Sequence, residues 1–441
     1  MLACGTQPLV DGGAAAFPGP SSVTRSQDGT ETRQRAARSG TGGPYLRRLA
    51  RTTPVQPSDE IRALWVVRDA LRTPEDIDRC VDFAAQARFH ILFVQVRGRA
   101  DAYYGSKLEP PAPDLRYSLR DFDPLLYTIT RARAAGIEVH AWINVYYAWS
   151  NGDVVPPEGH VVRSHPEWLV TDSRGVRADE RPVDEWKAAG IEGYFLSPFS
   201  AGARDHIVSV VADLIDRYDV DGIHLDYVRF PGAEYGFGLD ARTRFALEWG
   251  FDPVQVHSDS SGVSAVVGAS GAAALDSLWS ARRVQQVDSL VVAIRAATGD
   301  LPLSAAVVPD PEVARKDKGQ DWINWVHNRW VDFVVPMAYN YRPADLLGWA
   351  QYLHNAIGRE RMLVGLAVYG GRDAYLDRSV NILRVDGVEG FSIFSYNVLA
   401  QRRFAVQFIE QVFFAGGQVE GPEKPAGQEE GQDVENDVEE P

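Results

Sequence analysis

Eight short apolar runs punctuate this chain, and helical periodicity separates or follows nearly all of them. The runs are 63–67, 91–96, 138–146, 222–230, 303–308, 333–339, 363–369 and 391–396. Short apolar runs bounded by turn residues read as buried strands, whereas apolar residues at i, i+3 and i+4 read as helices packed on them. Thr73-Pro74 opens the first helix, with Ile77, Val81 and Ala84 facing inward. Asp123-Pro124 opens the next, with Leu125, Ile129 and Ala132 on one face and Gly136 as its stop. Ile207, Val210, Val211 and Leu214 mark a third. This alternation predicts an α/β fold, a (β/α)8 barrel spanning 59–415. Long βα loops are expected at 97–120, 147–204 and 231–274, on the face that carries chemistry in such barrels. The small-residue stretch 258–273 is expected to be mobile or disordered.

Outside the barrel the composition changes. Residues 1–58 are rich in Gly, Ser, Thr, Pro and Arg without apolar periodicity, predicting a disordered linker. Residues 416–441 read as an acidic disordered tail. Met1-Leu-Ala-Cys4-Gly5 is similar to the end of a bacterial lipoprotein signal, without the basic and apolar regions that normally precede the Cys. On that reading Cys4 is lipidated, giving a membrane attachment and an extracytoplasmic location, secreted or lipoprotein-anchored. The two cysteines, Cys4 and Cys80, provide no disulfide framework and no thiolate metal site. Cys80 lies in a helical pattern and is expected as a small buried hydrophobe. A net charge of -15 argues against a nucleic-acid partner.

Chemistry concentrates in Asp221-Gly-Ile-His224-Leu-Asp226-Tyr-Val-Arg229-Phe-Pro231. Strand alternation puts Gly222, His224, Asp226 and Val228 on one face, with Ile223, Leu225 and Tyr227 on the other. A carboxyl group at the carboxyl end of a barrel strand is where catalysis is expected. Asp226 is therefore the first candidate, as nucleophile or transition-state stabiliser. Other strand ends supply Arg97, Asp101, Tyr104, His140, Trp142, Asn144, Tyr339 and Tyr396. With His224 and Arg229 these form the expected substrate-binding set. Sugars suit such a mixture, because their C–H faces stack on aromatic rings and their hydroxyls pair with amide, guanidinium and carboxylate groups. Trp142 reads as a stacking platform or as a barrel plug, and His224 as a residue orienting Asp226 or as a satisfied core histidine. Arg229 is expected to pair with a pocket carboxylate and favour its ionised form.

Glycoside hydrolysis generally uses two carboxyl groups, ~5–5.5 Å apart for retention or ~6.5–9.5 Å for inversion. Asp310 and Glu312, after the fifth strand, are the candidates for the second, with Asp101 a further option. Each reads equally well as a loop cap or a salt-bridge partner.

The chain resembles the bacterial glycosyl-hydrolase-like 10 family over about 60–397. The residues carrying the resemblance are Arg62-Ala-Leu-Trp-Val66, Gln95-Val-Arg97 with Asp101-Ala-Tyr103-Tyr104, and Gly136-Ile-Glu-Val-His140-Ala-Trp142-Ile-Asn144. Asp221–Pro231, Asp321-Trp322 and Val335-Pro336-Met-Ala-Tyr339 complete it. The resemblance implies a barrel hydrolase acting on polysaccharide, with bacterial cell-wall glycan as a substrate class. The fourth strand is also similar to the chitinase pattern Asp-Gly-x-Asp-x-Asp-x-Glu. Val228 stands where that pattern has its general acid, and valine has no proton to donate. The leading expectation is thus a glycoside hydrolase of O-glycosidic bonds with no cofactor. The alternatives are a non-catalytic glycan-binding barrel, or metal-dependent hydrolysis through His140, His224 and Asp226.

Overall fold

The computed structural model describes residues 60–414, except 116, 118 and 151–153. The expected linker at 1–58, with Cys4, and the tail at 416–441 lie outside the described residues. The strands are β1 Ile61–Val66, β2 Ile91–Arg97, β3 Glu138–Asn144, β4 Gly222–Asp226, β5 Leu303–Val307, β6 Phe333–Pro336, β7 Val364–Ala367 and β8 Gly390–Phe394. They form one parallel sheet in the order β6-β5-β4-β3-β2-β1-β8-β7. Leu363 N donates to Val334 O at 3.0 Å and Ala338 N to Gly365 O at 2.9 Å, so the outermost strands β6 and β7 meet and the sheet closes on itself. The (β/α)8 barrel predicted from the alternation is the observed fold.

Local chemistry sets the helix starts. Thr73 Oγ1 accepts from Asp76 N at 3.1 Å, Asp123 Oδ1 from Leu126 N at 3.1 Å, and Ser200 Oγ from Ala203 N at 3.2 Å. Each satisfies one of the amides that a helix start leaves open. The helices Pro74–Gln86, Pro124–Ala134 and Ala201–Arg217 then lay their apolar stripes on the outer face of the sheet. Cys80 is buried there, as expected. The stretch 258–273 departs from expectation. Most of it lies in a helical segment, Ser260–Thr298, interrupted by a left-handed turn at Gly268 with φ 78°. Its alanines favour helix, and the following turns bury Val287, Leu290, Val291 and Ile294 on the barrel wall.

Alternation along the strands divides two cores. Leu64, Val66, Leu92, Val94, Ile223 and Leu225 face the helices. Ile61, Ala63, Trp65, Ile91, Phe93, Trp142, Phe333, Val335 and Leu363 fill the interior as a solid plug. Burying each Phe or Leu of this plug contributes about 1.5–3 kcal/mol. A polar group inside it is costly unless it finds a hydrogen-bond partner. Gly222 is required at its depth, because a Cβ there would meet the His140 imidazole at 2.5 Å.

Candidate active site

The alternation of β4 breaks at its tip. Tyr227 has φ 50°, a left-handed conformation uncommon for residues with a side chain. Val228, expected inward, consequently packs in the outer core. The Tyr227 ring instead stacks on Tyr147, with centroids 4.7 Å apart, beneath the Arg229 guanidinium, 4.7 Å from its centroid. Asp226 is held at the turn. Its Oδ1 accepts from Tyr227 N at 2.6 Å, and its carbonyl accepts from Val145 N at 2.7 Å.

Asp226 is 7% exposed. Burial pushes its carboxyl up to about 6, against the pull of Arg229 and the Tyr227 amide. Glu192 adds an upward push. The Trp142 indole N–H favours the charged form without closing a well-aligned hydrogen bond. Two phenols stand near this carboxyl. Burial, followed by the charge of Asp226, drives Tyr339 well above its ordinary value, while burial, Glu192 and Asp226 do so for Tyr227. Both hydroxyls stay protonated as donors. Tyr339 is packed by Phe394, Trp65 and Tyr369, at 5.5, 6.1 and 6.1 Å between centroids.

Glu192 was not singled out from the sequence. It lies in the long segment after β3, just before Tyr194–Phe195, which pairs antiparallel with Tyr147–Trp149. Gly193 permits this approach, because a Cβ there would meet the Trp149 carbonyl at 2.2 Å. Tyr147 Oη donates to the Glu192 carbonyl at 3.1 Å and fixes its backbone. The Glu192 carboxylate meets Arg229 at 3.5 Å and is 39% exposed. Glu192 thus meets the Arg229 guanidinium from the open side, and the charge of the same guanidinium acts on the buried Asp226 carboxyl. The only sequence signal for Glu192 was its place in a long loop on the catalytic face.

Of the residues chosen from sequence, Asp226, Trp142, Arg229 and Tyr339 come together at the mouth. The others lie elsewhere or are engaged. Arg97 is completely buried and pairs with Glu109 at 2.7 Å, and it also donates to the carbonyls of Asn144 and Val145. Asn144 Nδ2 donates to Gly98 O at 2.9 Å. Tyr104 is buried against Tyr218. Asp101 is sealed, accepting from Arg99 N at 2.9 Å and pairing with its guanidinium at 3.2 Å. Tyr396 packs outside the barrel against Phe83. Asp310 caps the helix Pro311–Lys318, accepting from Glu312 N at 2.9 Å and Val313 N at 3.1 Å, and Glu312 is exposed in its first turn.

The two histidines lie within the plug. Trp65 Nε1 donates to His224 Nε2 at 3.1 Å, and His224 Nδ1 meets Ser304 Oγ at 2.9 Å. Burial, then His140, hold the ring neutral. An indole only donates, so Nε2 accepts and Nδ1 carries the proton. His140 packs edge-on against Phe93, with Glu138 3.5 Å from its Nε2. Among the described residues no group of three or more His, Cys, Asp or Glu side chains is placed to hold a metal ion. His140, His224 and Asp226 therefore do not converge as a ligand set.

Fold and site together define a (β/α)8-barrel protein with an acid–aromatic centre at the carboxyl ends of its strands. The chain belongs to the family described as Glycosyl hydrolase-like 10, whose model matches residues 60–375. It is 26% identical over 193 residues to the glycosyl hydrolase YngK of Bacillus subtilis, covering 40% of this chain and 34% of that protein. It is 26% identical over 159 residues to the glycosyl hydrolase DigH of Escherichia coli, covering 35% of this chain and 34% of that one. The matches thus span about a third of the length of these curated relatives. Among solved structures, the glycoside hydrolase domain of PgaB (BpsB) from Bordetella bronchiseptica superposes with a TM-score of 0.60 at 18% identity, covering 80% of this chain and 98% of that domain. That likeness concerns the fold.

Proposed function

We propose that the chain hydrolyses O-glycosidic bonds of a polysaccharide at the mouth around Asp226. The observation that carries this reading is a buried carboxyl held at about 6 under the influence of Arg229 and of a second, open carboxyl, Glu192, that pairs with the same arginine. A carboxyl raised by an apolar pocket is partly protonated near neutrality, which suits a proton donor. The sequence alone made Asp226 a nucleophile or stabiliser, but its burial favours the role of general acid. In this reading Asp226 protonates the leaving glycosidic oxygen as the C–O bond breaks. Glu192, on the open side, takes a proton from the water whose oxygen bonds to the anomeric carbon, so that water is added across the broken bond. Tyr227, Tyr339 and Arg229 hold sugar hydroxyls, and the Tyr339 ring offers an apolar face for stacking. Family membership supports a carbohydrate substrate, and bacterial cell-wall glycan is the first polymer to assay.

The test is release of reducing ends from glycan strands and common polysaccharides by the purified chain. Asp226→Asn is expected to lower turnover about 10²–10⁴-fold, the usual contribution of a positioned acid. Turnover unchanged in this variant overturns the mechanism. Oligosaccharide binding without any turnover in the wild type replaces it with a glycan-binding barrel.

A further inference from the structure

A cleft of about 560 Å3 opens between the loops that follow β6 and β7, in the size range of ligand pockets, roughly 300–1,000 Å3. Tyr339 lines it and also stands beside Asp226, so the cleft borders the mouth. Its floor is apolar, made by Ala338, Leu366 and Leu376. Two further tyrosines stand in its walls. Tyr375 is 57% exposed, and Tyr341 packs on Trp349 at 5.2 Å between centroids. Arg372 is fixed in the wall, donating to Tyr339 O at 2.8 Å and Asn340 Oδ1 at 2.6 Å. Arg342 is exposed at the start of the helix Pro343–Ile357. The lining thus holds two guanidinium groups and no carboxylate, in a chain of net charge -15. The nearby acids lie outside it. Asp373 pairs with Arg402, while Asp310 and Asp345 act on the Tyr341 hydroxyl.

We propose that this cleft is a second sugar subsite, and that it takes a carboxylate-bearing unit of the same glycan chain presented to Asp226. The proposal rests on the glycosidase reading for the identity of that chain. Aromatic faces for the ring and a guanidinium for the acid are the recognition chemistry that such a unit requires. Because Tyr339 lines the cleft and lies within reach of the Asp226 charge, one extended oligosaccharide can run from the cleft towards Asp226.

The test is calorimetric binding of uronate-containing tetrasaccharides (glucuronate, galacturonate and mannuronate series), each against its carboxyl-reduced counterpart. The full chain is used as wild type, Arg342→Ala, Tyr375→Ala and Asp226→Asn. At least one acidic probe is expected to bind wild type more tightly than its reduced form. Arg342→Ala should weaken the acidic probe about 10-fold or more and leave the reduced probe unchanged, as expected for loss of a charge-assisted hydrogen bond. Tyr375→Ala should weaken both probes. Asp226→Asn serves as the slow form in which binding is measured without hydrolysis; binding of an acidic probe by a wild type that turns over no glycan would sink the glycosidase reading while leaving the subsite standing. No preference for any acidic probe, or a preference untouched by Arg342→Ala, overturns the subsite.

Discussion

The indole of Trp65 and the imidazole of His224 meet across the barrel interior at 3.1 Å, with Nε2 of the imidazole as acceptor. Ser304 receives the proton on the other ring nitrogen at 2.9 Å, and Phe93 stacks on the ring at 4.0 Å. A histidine satisfied on both edges and covered on its face is a structural element beneath Asp226. Ser304→Ala strands one donor and is expected to cost about 1–3 kcal/mol. Urea unfolding at neutral pH measures this, and turnover per folded molecule should change little. A large loss of kcat at unchanged stability would instead give His224 a part in the chemistry.

The raised carboxyl of Asp226 makes two linked predictions about pH. As a general acid it must be protonated, so kcat/KM should fall as pH rises through about 6. A rise through the same value would make it the nucleophile. Stability follows the same proton. The folded state holds it more tightly than the unfolded chain, whose value is near 3.8, so this contribution is present below about 4 and lost as pH rises through about 6. Asp226→Asn should therefore stabilise the fold at pH 7, by about 3 kcal/mol at most, and leave it unchanged near pH 3.5. Melting curves at the two pH values read the difference.

Glu192 is the group that geometry adds to the sequence reading. Glu192→Gln keeps the shape, removes the charge facing Arg229, and should lower kcat about 10²-fold or more if it supplies the second carboxyl. Its 39% exposure predicts a change in stability within about 0.5 kcal/mol. Unchanged kcat in a properly folded variant would remove Glu192 from the mechanism.

The Arg97–Glu109 pair is expected to matter for stability. Burial pushes the Glu109 carboxyl up, but Arg97 and His206 outweigh it and hold the group at about 2. Its contribution is present above the ordinary value of 4.5 and is lost as pH falls toward 2. Glu109→Gln leaves a buried guanidinium without its counter-charge, at a cost of about 3–5 kcal/mol. Denaturant midpoints at pH 7 measure it, and a loss below 1 kcal/mol would show that water reaches Arg97.

The barrel was legible in the sequence because its signal is repeated. Each strand is a short apolar run, and Thr73-Pro74 and Asp123-Pro124 announce helix starts by local chemistry that the structure retains. Asp226 was legible by its place at the end of β4. Distinguishing a sugar-facing polar group from a structural one was not possible, because strand-end position is shared by both. Arg97 and Asn144 lie at strand ends, yet their side chains are engaged by Glu109 and by backbone carbonyls. Asp310 illustrates a different ambiguity, since an acid before a proline serves equally as a helix cap. Glu192 was hidden for a third reason. Its partner Arg229 is 37 residues away, and only the pairing of Tyr194–Phe195 with Tyr147–Trp149 brings them together.

The left-handed residue at the tip of β4 also bears on how such barrels can be recombined. From Tyr227 onward, one torsion angle decides whether each later side chain looks into the mouth or into the wall. Grafting the following loop onto another barrel would carry Arg229 correctly only if the splice falls before Tyr227. A cut one residue later would deliver the same amino acids with inside and outside exchanged.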